Sequence, residues 1–70
     1  MSDHVYKKIE LTGSSTQSIE DAVQQALNKA SKTLHNLRWF ELAETRGEID
    51  DKGQIKHWQV SLKVGFRIDG

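Results

Sequence analysis

The stretch HWQVSLKVGFRI, residues 57–68, decides the fold. Trp58, Val60, Leu62, Val64, Phe66 and Ile68 form an unbroken apolar row, with Gln59, Ser61, Lys63, Gly65 and Arg67 between them. Alternation of period two marks a strand with one face on a core. The apolar row is expected to meet that core. The polar row carries an amide and two cations in register and needs a purpose of its own.

The strand extends back to Gln54 as QIKHWQVSLKVGFRI, and upstream LRWFELAETRGEI reads as a second long strand, joined to it by DDKG. Asp51 to Gly53 supplies the turn, with glycine available for a positive φ, so the two strands form an antiparallel hairpin. Near the start, HVYKKIELTG also alternates: Val5, Lys7, Ile9 and Leu11 share one face, Tyr6, Lys8, Glu10 and Thr12 the other. GSSTQS then leads into a helix, and Ser18 with Asp21 three residues on resembles a capping box. Ile19, Ala22, Val23, Ala26, Leu27, Ala30 and Leu34 recur at three- and four-residue steps, one apolar stripe of an amphipathic helix. Its alanines allow close packing, and Asn36 is suited to leave it in a left-handed conformation. Lys29, Lys32 and His35 crowd its end, where positive charge complements the helix dipole. The order β-α-β-β makes an α+β unit, one helix on a three-stranded antiparallel sheet.

The lengths do not match. Each hairpin strand runs about 13 to 15 residues, or roughly 45 Å. A helix of about 17 to 19 residues is only about 28 Å long. The strand ends must therefore curl over the helix or pair with another subunit.

Composition narrows the function. A chain of 70 residues is read as a single domain spanning residues 1–70. Such a chain buries only about 60% of its unfolded surface. With no cysteine to staple it, self-association is the expected support. Ten basic residues balance ten acidic ones, which argues against nucleic-acid binding through bulk charge. No apolar run spans a membrane and MSDHVYKK lacks a signal-like stretch, so a cytoplasmic protein is expected. His4, His35 and His57 are scattered, so no metal site is expected. Glu41 and Glu44, three apart on a strand, are expected on opposite faces. No catalytic constellation is present, and a binding protein rather than an enzyme is expected.

The second strand carries the binding signal. Phe40 and Leu42 share one parity and should join the core, which turns Trp39 outward, toward the side of Gln59, Lys63 and Arg67; a β-bulge would shift this facing. A tryptophan face beside a glutamine suits a planar heteroaromatic ligand such as a flavin. Arg46 could add bonds to a ring oxygen or a phosphate. The commoner use of such a tryptophan is to anchor a subunit interface, and that reading stands beside the ligand one.

HVYKKIELTGSS, SKTL in the helix, WFELAETRG and WQVSLKVGFRI together resemble the dodecins over about Val5 to Ile68. The resemblance implies a small flavin-binding protein whose sheet-wrapped protomers form a hollow homododecamer. It implies that Trp39 stacks on the flavin, in pairs near a two-fold axis, and that Gln59 bonds the polar ring edge. Arg46 and Arg67 match positions that hold ring or phosphate in bacterial members. The ETRG arginine resembles the bacterial type, implying FMN, with riboflavin and lumichrome as alternatives. Some bacterial relatives bind coenzyme A, for which Tyr6, Lys7, Lys29, Lys32 and Thr33 are the candidate contacts. Trp58 stands where many relatives carry tyrosine, a change expected to affect packing only. The implied role is storage of flavin with quenching of its excited state. A cage that binds no flavin and a flavoenzyme are the alternatives.

Overall fold

The computed structural model describes residues 3–68. The elements are β1 (Val5–Ser15), α1 (Ile19–Ala30), β2 (Leu37–Ile49) and β3 (Ile55–Ile68). They form a three-stranded antiparallel sheet of order β1-β3-β2 with one helix, the α+β architecture expected from the sequence. The strand with the cleanest alternation is thus the central one. Val60, Leu62 and Val64 have no exposed surface and pack with Ala22, Val23 and Ala26 of the helix. The apolar row fades outward: Trp58 and Phe66 are half-buried and Ile68 is exposed. The helix covers only the middle of the row.

The helix is shorter than its apolar stripe suggests, 12 residues rather than 17 to 19. It stops at Ala30, where Ser31 turns its hydroxyl back to the Asn28 carbonyl at 2.9 Å. Such local bonding competes with helix propagation. Leu34 still closes onto the Ala30 carbonyl at 2.9 Å, from a turn rather than from the helix. Asn36 does adopt a left-handed φ of 64°, but at the entrance to β2, where its carbonyl accepts from the Arg67 amide. At the other end, the Ser18 hydroxyl accepts from the Asp21 amide at 2.9 Å. Aspartate is too short to return the bond, and its carboxylate instead accepts from Ser15 Oγ and Gln25 Nε2, both at 2.6 Å. Ser18→Ala is predicted to cost about 1 kcal/mol, the usual value of a lost N-cap. A urea midpoint unchanged by the substitution would show the cap to be unimportant.

Small residues bring helix and sheet together. A Cβ on Gly13 would run into the Ala22 carbonyl oxygen and Ala26 Cβ, so β1 touches the helix backbone there. The helix lies over β1 and β3, and β2 is left largely uncovered. Phe40 pairs with Val64 and Leu42 with Leu62, which places both on the core side of the sheet. They do not join the protomer core as expected: they are 47% and 48% exposed. The protomer measures 58 × 20 × 13 Å with a radius of gyration of 14.8 Å. A compact chain of this length would have about 11 Å. The excess is the hairpin, which runs past the helix with Ile49 and Ile55 exposed near its tip. Its turn is held by Asp50 Oδ1, which accepts from the Lys52 and Gln54 amides, and by Gly53 at φ 77°.

Candidate functional site

The sheet face away from the helix carries two polar clusters. At one end a bulge between Leu37 and Trp39 sends Leu37 inward opposite Phe66 and Trp39 outward opposite Gly65. The indole lies flat over Gly65, where any Cβ would strike its six-membered ring. Tyr6 of β1 meets it edge-on, with centroids 5.4 Å apart and planes at 67°. Trp39 Nε1 donates to Glu41 Oε2 at 2.8 Å, and Lys8 Nζ donates to both oxygens of Glu41 at 3.1 and 3.3 Å. Arg67, half-buried and opposite Tyr6, belongs to this end.

These contacts set the charge on Glu41. Its carboxyl is held below the ordinary glutamate range, chiefly by the indole N–H and then by Lys8, with Lys63 adding its field. A carboxyl lowered in the folded state adds stability above its unfolded value, and this is lost as pH falls through the lower folded value. The pH-dependent shift of the Trp39 indole N–H resonance is therefore predicted to have its midpoint below the ordinary glutamate value of about 4.3. A transition centred at or above the ordinary value would mean that the contact does not hold in solution.

At the other end Arg46 Nε donates to Gln59 Oε1 at 2.7 Å, and Arg46 Nη1 to Glu44 Oε1 at 2.7 Å. Simple alternation would put Arg46 with Phe40 and Leu42 on the core side. A bulge between Leu42 and Glu44 reverses the facing, so that Glu44 opposes Ser61 and Arg46 opposes Gln59. The same bulge corrects the expectation for the acidic pair: Glu41 and Glu44 share the outer face. Lys63 stands between the two ends, opposite Glu10 on one side and Glu41 on the other.

Trp39 and Gln59 share a face as expected, but they are not neighbours. Trp39 opposes Gly65, six residues along β3 from Gln59. That separation is about 20 Å. One chain therefore cannot place its indole and its amide on the same three-ring ligand, and both groups can serve one ligand only if a second chain supplies one of them.

Of the five remaining candidates, two share a groove. Lys29 and Thr33 line a groove of about 500 Å³ between β1 and the end of α1, with Ile9, Leu11 and Gln25. Tyr6 is on the other face, engaged by Trp39, while Lys7 and Lys32 are exposed. His57 Nε2 lies 3.7 Å from Glu48, and among the described residues no cluster of three or more metal-ligating side chains occurs. Two functional-face residues escaped the sequence analysis: Glu41 as the indole's partner and Gly65 as the floor beneath it. Glu41 had a legible signal, being two residues from Trp39 and so on its face. The role of Gly65 depended on strand register.

No helix among the described residues is long and apolar enough to cross a membrane. A family model described as Dodecin matches residues 5–69. The dodecin of Thermus thermophilus is 52% identical over 65 residues, 93% of this chain and 93% of that protein. The calcium dodecin of Mycobacterium tuberculosis is 30% identical over 64 residues, 91% of this chain and 89% of that one. Among solved structures, dodecin from Streptomyces davaonensis superposes with a TM-score of 0.91 at 49% identity, covering 99% of this chain and 100% of that chain. Sequence and fold agree along nearly the whole length, and the chain belongs to the dodecin family.

Proposed function

We propose that this dodecin sequesters flavin without transforming it. The observation that carries this is the outward-facing indole of Trp39, laid flat on Gly65 and fixed by Glu41 and Tyr6, yet still 38% exposed. A large aromatic face held rigid and left open is suited to stacking a planar heteroaromatic ring. Gln59 fits the polar edge of such a ring. Arg46 occupies its carbonyl oxygen, which leaves the amide N–H pair to donate to a ring oxygen or nitrogen. Arg46 and Arg67 supply charge for a phosphate, which favours FMN over riboflavin and lumichrome.

The separation of Trp39 from Gln59 supports a site at a junction between chains. The exposed Phe40, Leu42, Ile49 and Ile55 give those chains an apolar surface on which to associate. A closed homododecamer is the assembly we assign to it. A ring enclosed between indoles of neighbouring chains leaves no room for a second substrate, so the protein is not read as an enzyme. A bound flavin would supply an electron acceptor when photoexcited, and Trp39 is the residue that would donate to it. Coenzyme A is a secondary proposal. It rests on the groove that Lys29 and Thr33 line.

Titrating FMN, riboflavin and lumichrome with purified protein tests this. Quenching of flavin fluorescence that saturates near one ligand per chain is the expected result. No quenching of any of the three would overturn the flavin reading in favour of a cage without flavin. Turnover of bound flavin with NADH or NADPH would make it an enzyme.

A further inference from the structure

Resting on the reading that a flavin ring stacks against Trp39, we propose that Glu41 is a positioning and electrostatic residue for that electron donation. Its carboxylate fixes the indole plane and stabilises the positive charge that the indole acquires. Three observations carry this. The indole N–H donates to Glu41 Oε2 at 2.8 Å, a charge-assisted bond to the atom of the ring from which positive charge is most directly compensated. The carboxylate is anchored in turn, by Lys8 Nζ at 3.1 and 3.3 Å from its two oxygens. Gly65 below and the Tyr6 edge beside the ring restrict its other motions, so the hydrogen bond sets the remaining rotation.

The charged groups around Glu41 are Lys8 and Glu10 from β1, Lys63 from β3, and Glu44 from its own strand, on the same face. The carboxyl is held below the ordinary range, so it is ionised at neutral pH and is a poor acceptor for the indole proton. The step therefore balances as a transfer of one electron alone. Trp39 gives one electron to the photoexcited ring, keeps its N–H proton in the bond to Glu41, and takes the electron back. No covalent bond forms or breaks. A carboxylate bonded directly to the oxidised indole favours the forward transfer by Coulomb attraction, an effect that Lys8 and Lys63 offset in part.

Glu41→Gln and Glu41→Ala in the assembled protein separate charge from position. Glutamine can still accept from the indole N–H but carries no charge; alanine can do neither. In the unloaded protein the Trp39 indole ¹H–¹⁵N resonance is expected to shift in both variants, more in the alanine one. With FMN, Glu41→Gln is expected to bind within about threefold of the unsubstituted chain, under 1 kcal/mol by affinity arithmetic. The excited-state lifetime of its bound FMN is expected to lengthen severalfold. Glu41→Ala is expected to lose affinity as well. An indole resonance that moves in neither variant, or an unchanged lifetime in Glu41→Gln with normal binding, overturns the role of Glu41 alone. Failure of the unsubstituted protein to bind FMN overturns the flavin reading and this inference with it.

Discussion

Truncating Leu62 to alanine is expected to lower the unfolding free energy by about 2 to 5 kcal/mol, the usual cost of removing a buried leucine. Leu62 has no exposed surface and sits at the centre of the central strand, flanked in register by Leu11 of β1 and Leu42 of β2. Its side chain is the largest fully buried one among the described residues. A chain of this length has a total stability of roughly 3.5 to 10 kcal/mol. The substitution should therefore remove a large share of it. Urea unfolding at fixed protein concentration reads this, since association adds to apparent stability. A loss below about 1 kcal/mol would mean that the site collapses around the cavity and that the core is not built on this residue. Leu42→Ala is the informative companion. Leu42 lies opposite Leu62 but is half-exposed in the protomer, so its cost should depend on protein concentration if a second chain covers it.

Trp39→Ala is expected to weaken flavin binding by about 5- to 150-fold. The figure comes from the roughly 1 to 3 kcal/mol that an aromatic side chain contributes to stacking on a planar base. Folding should suffer less than binding, because the indole lies on the outer face of the sheet, away from the core under the helix. Trp58→Phe is the control. Trp58 belongs to the core-side row and is half-buried, so its removal should leave flavin affinity in place. Fluorescence titration of both variants distinguishes the two indoles. Equal losses, or none for Trp39→Ala, would remove Trp39 from the ligand site and leave the interface role that Trp also suits.

Much of this site was legible before any coordinates. The outward facing of Trp39 and Gln59 followed from alternation along each strand, and the ligand chemistry followed from the residue types. Arg46 was chosen for its chemistry, although alternation alone puts it on the wrong face. The bulge at Leu42 and Glu44 is what turns it to Gln59. The coenzyme A candidates came from resemblance, and the sheet separates them: Tyr6 on one face, Lys29 and Thr33 at a groove on the other.

By itself the sequence determined the element order, the bounds of the hairpin strands to within a residue, the glycine of their turn and the apolar row that became the core. These are local properties: side chains repeat every two residues in a strand and about every 3.6 in a helix, whatever the chain packs against. Only the tertiary structure decided that β3 is central, that the helix stops at Ala30, that Phe40 and Leu42 stay uncovered, and that Arg46 meets Gln59. It also set Trp39 about 20 Å from Gln59, at about 3.3 Å per strand residue. Register and bulges depend on which strands pair and where, and those contacts join residues far apart in the chain.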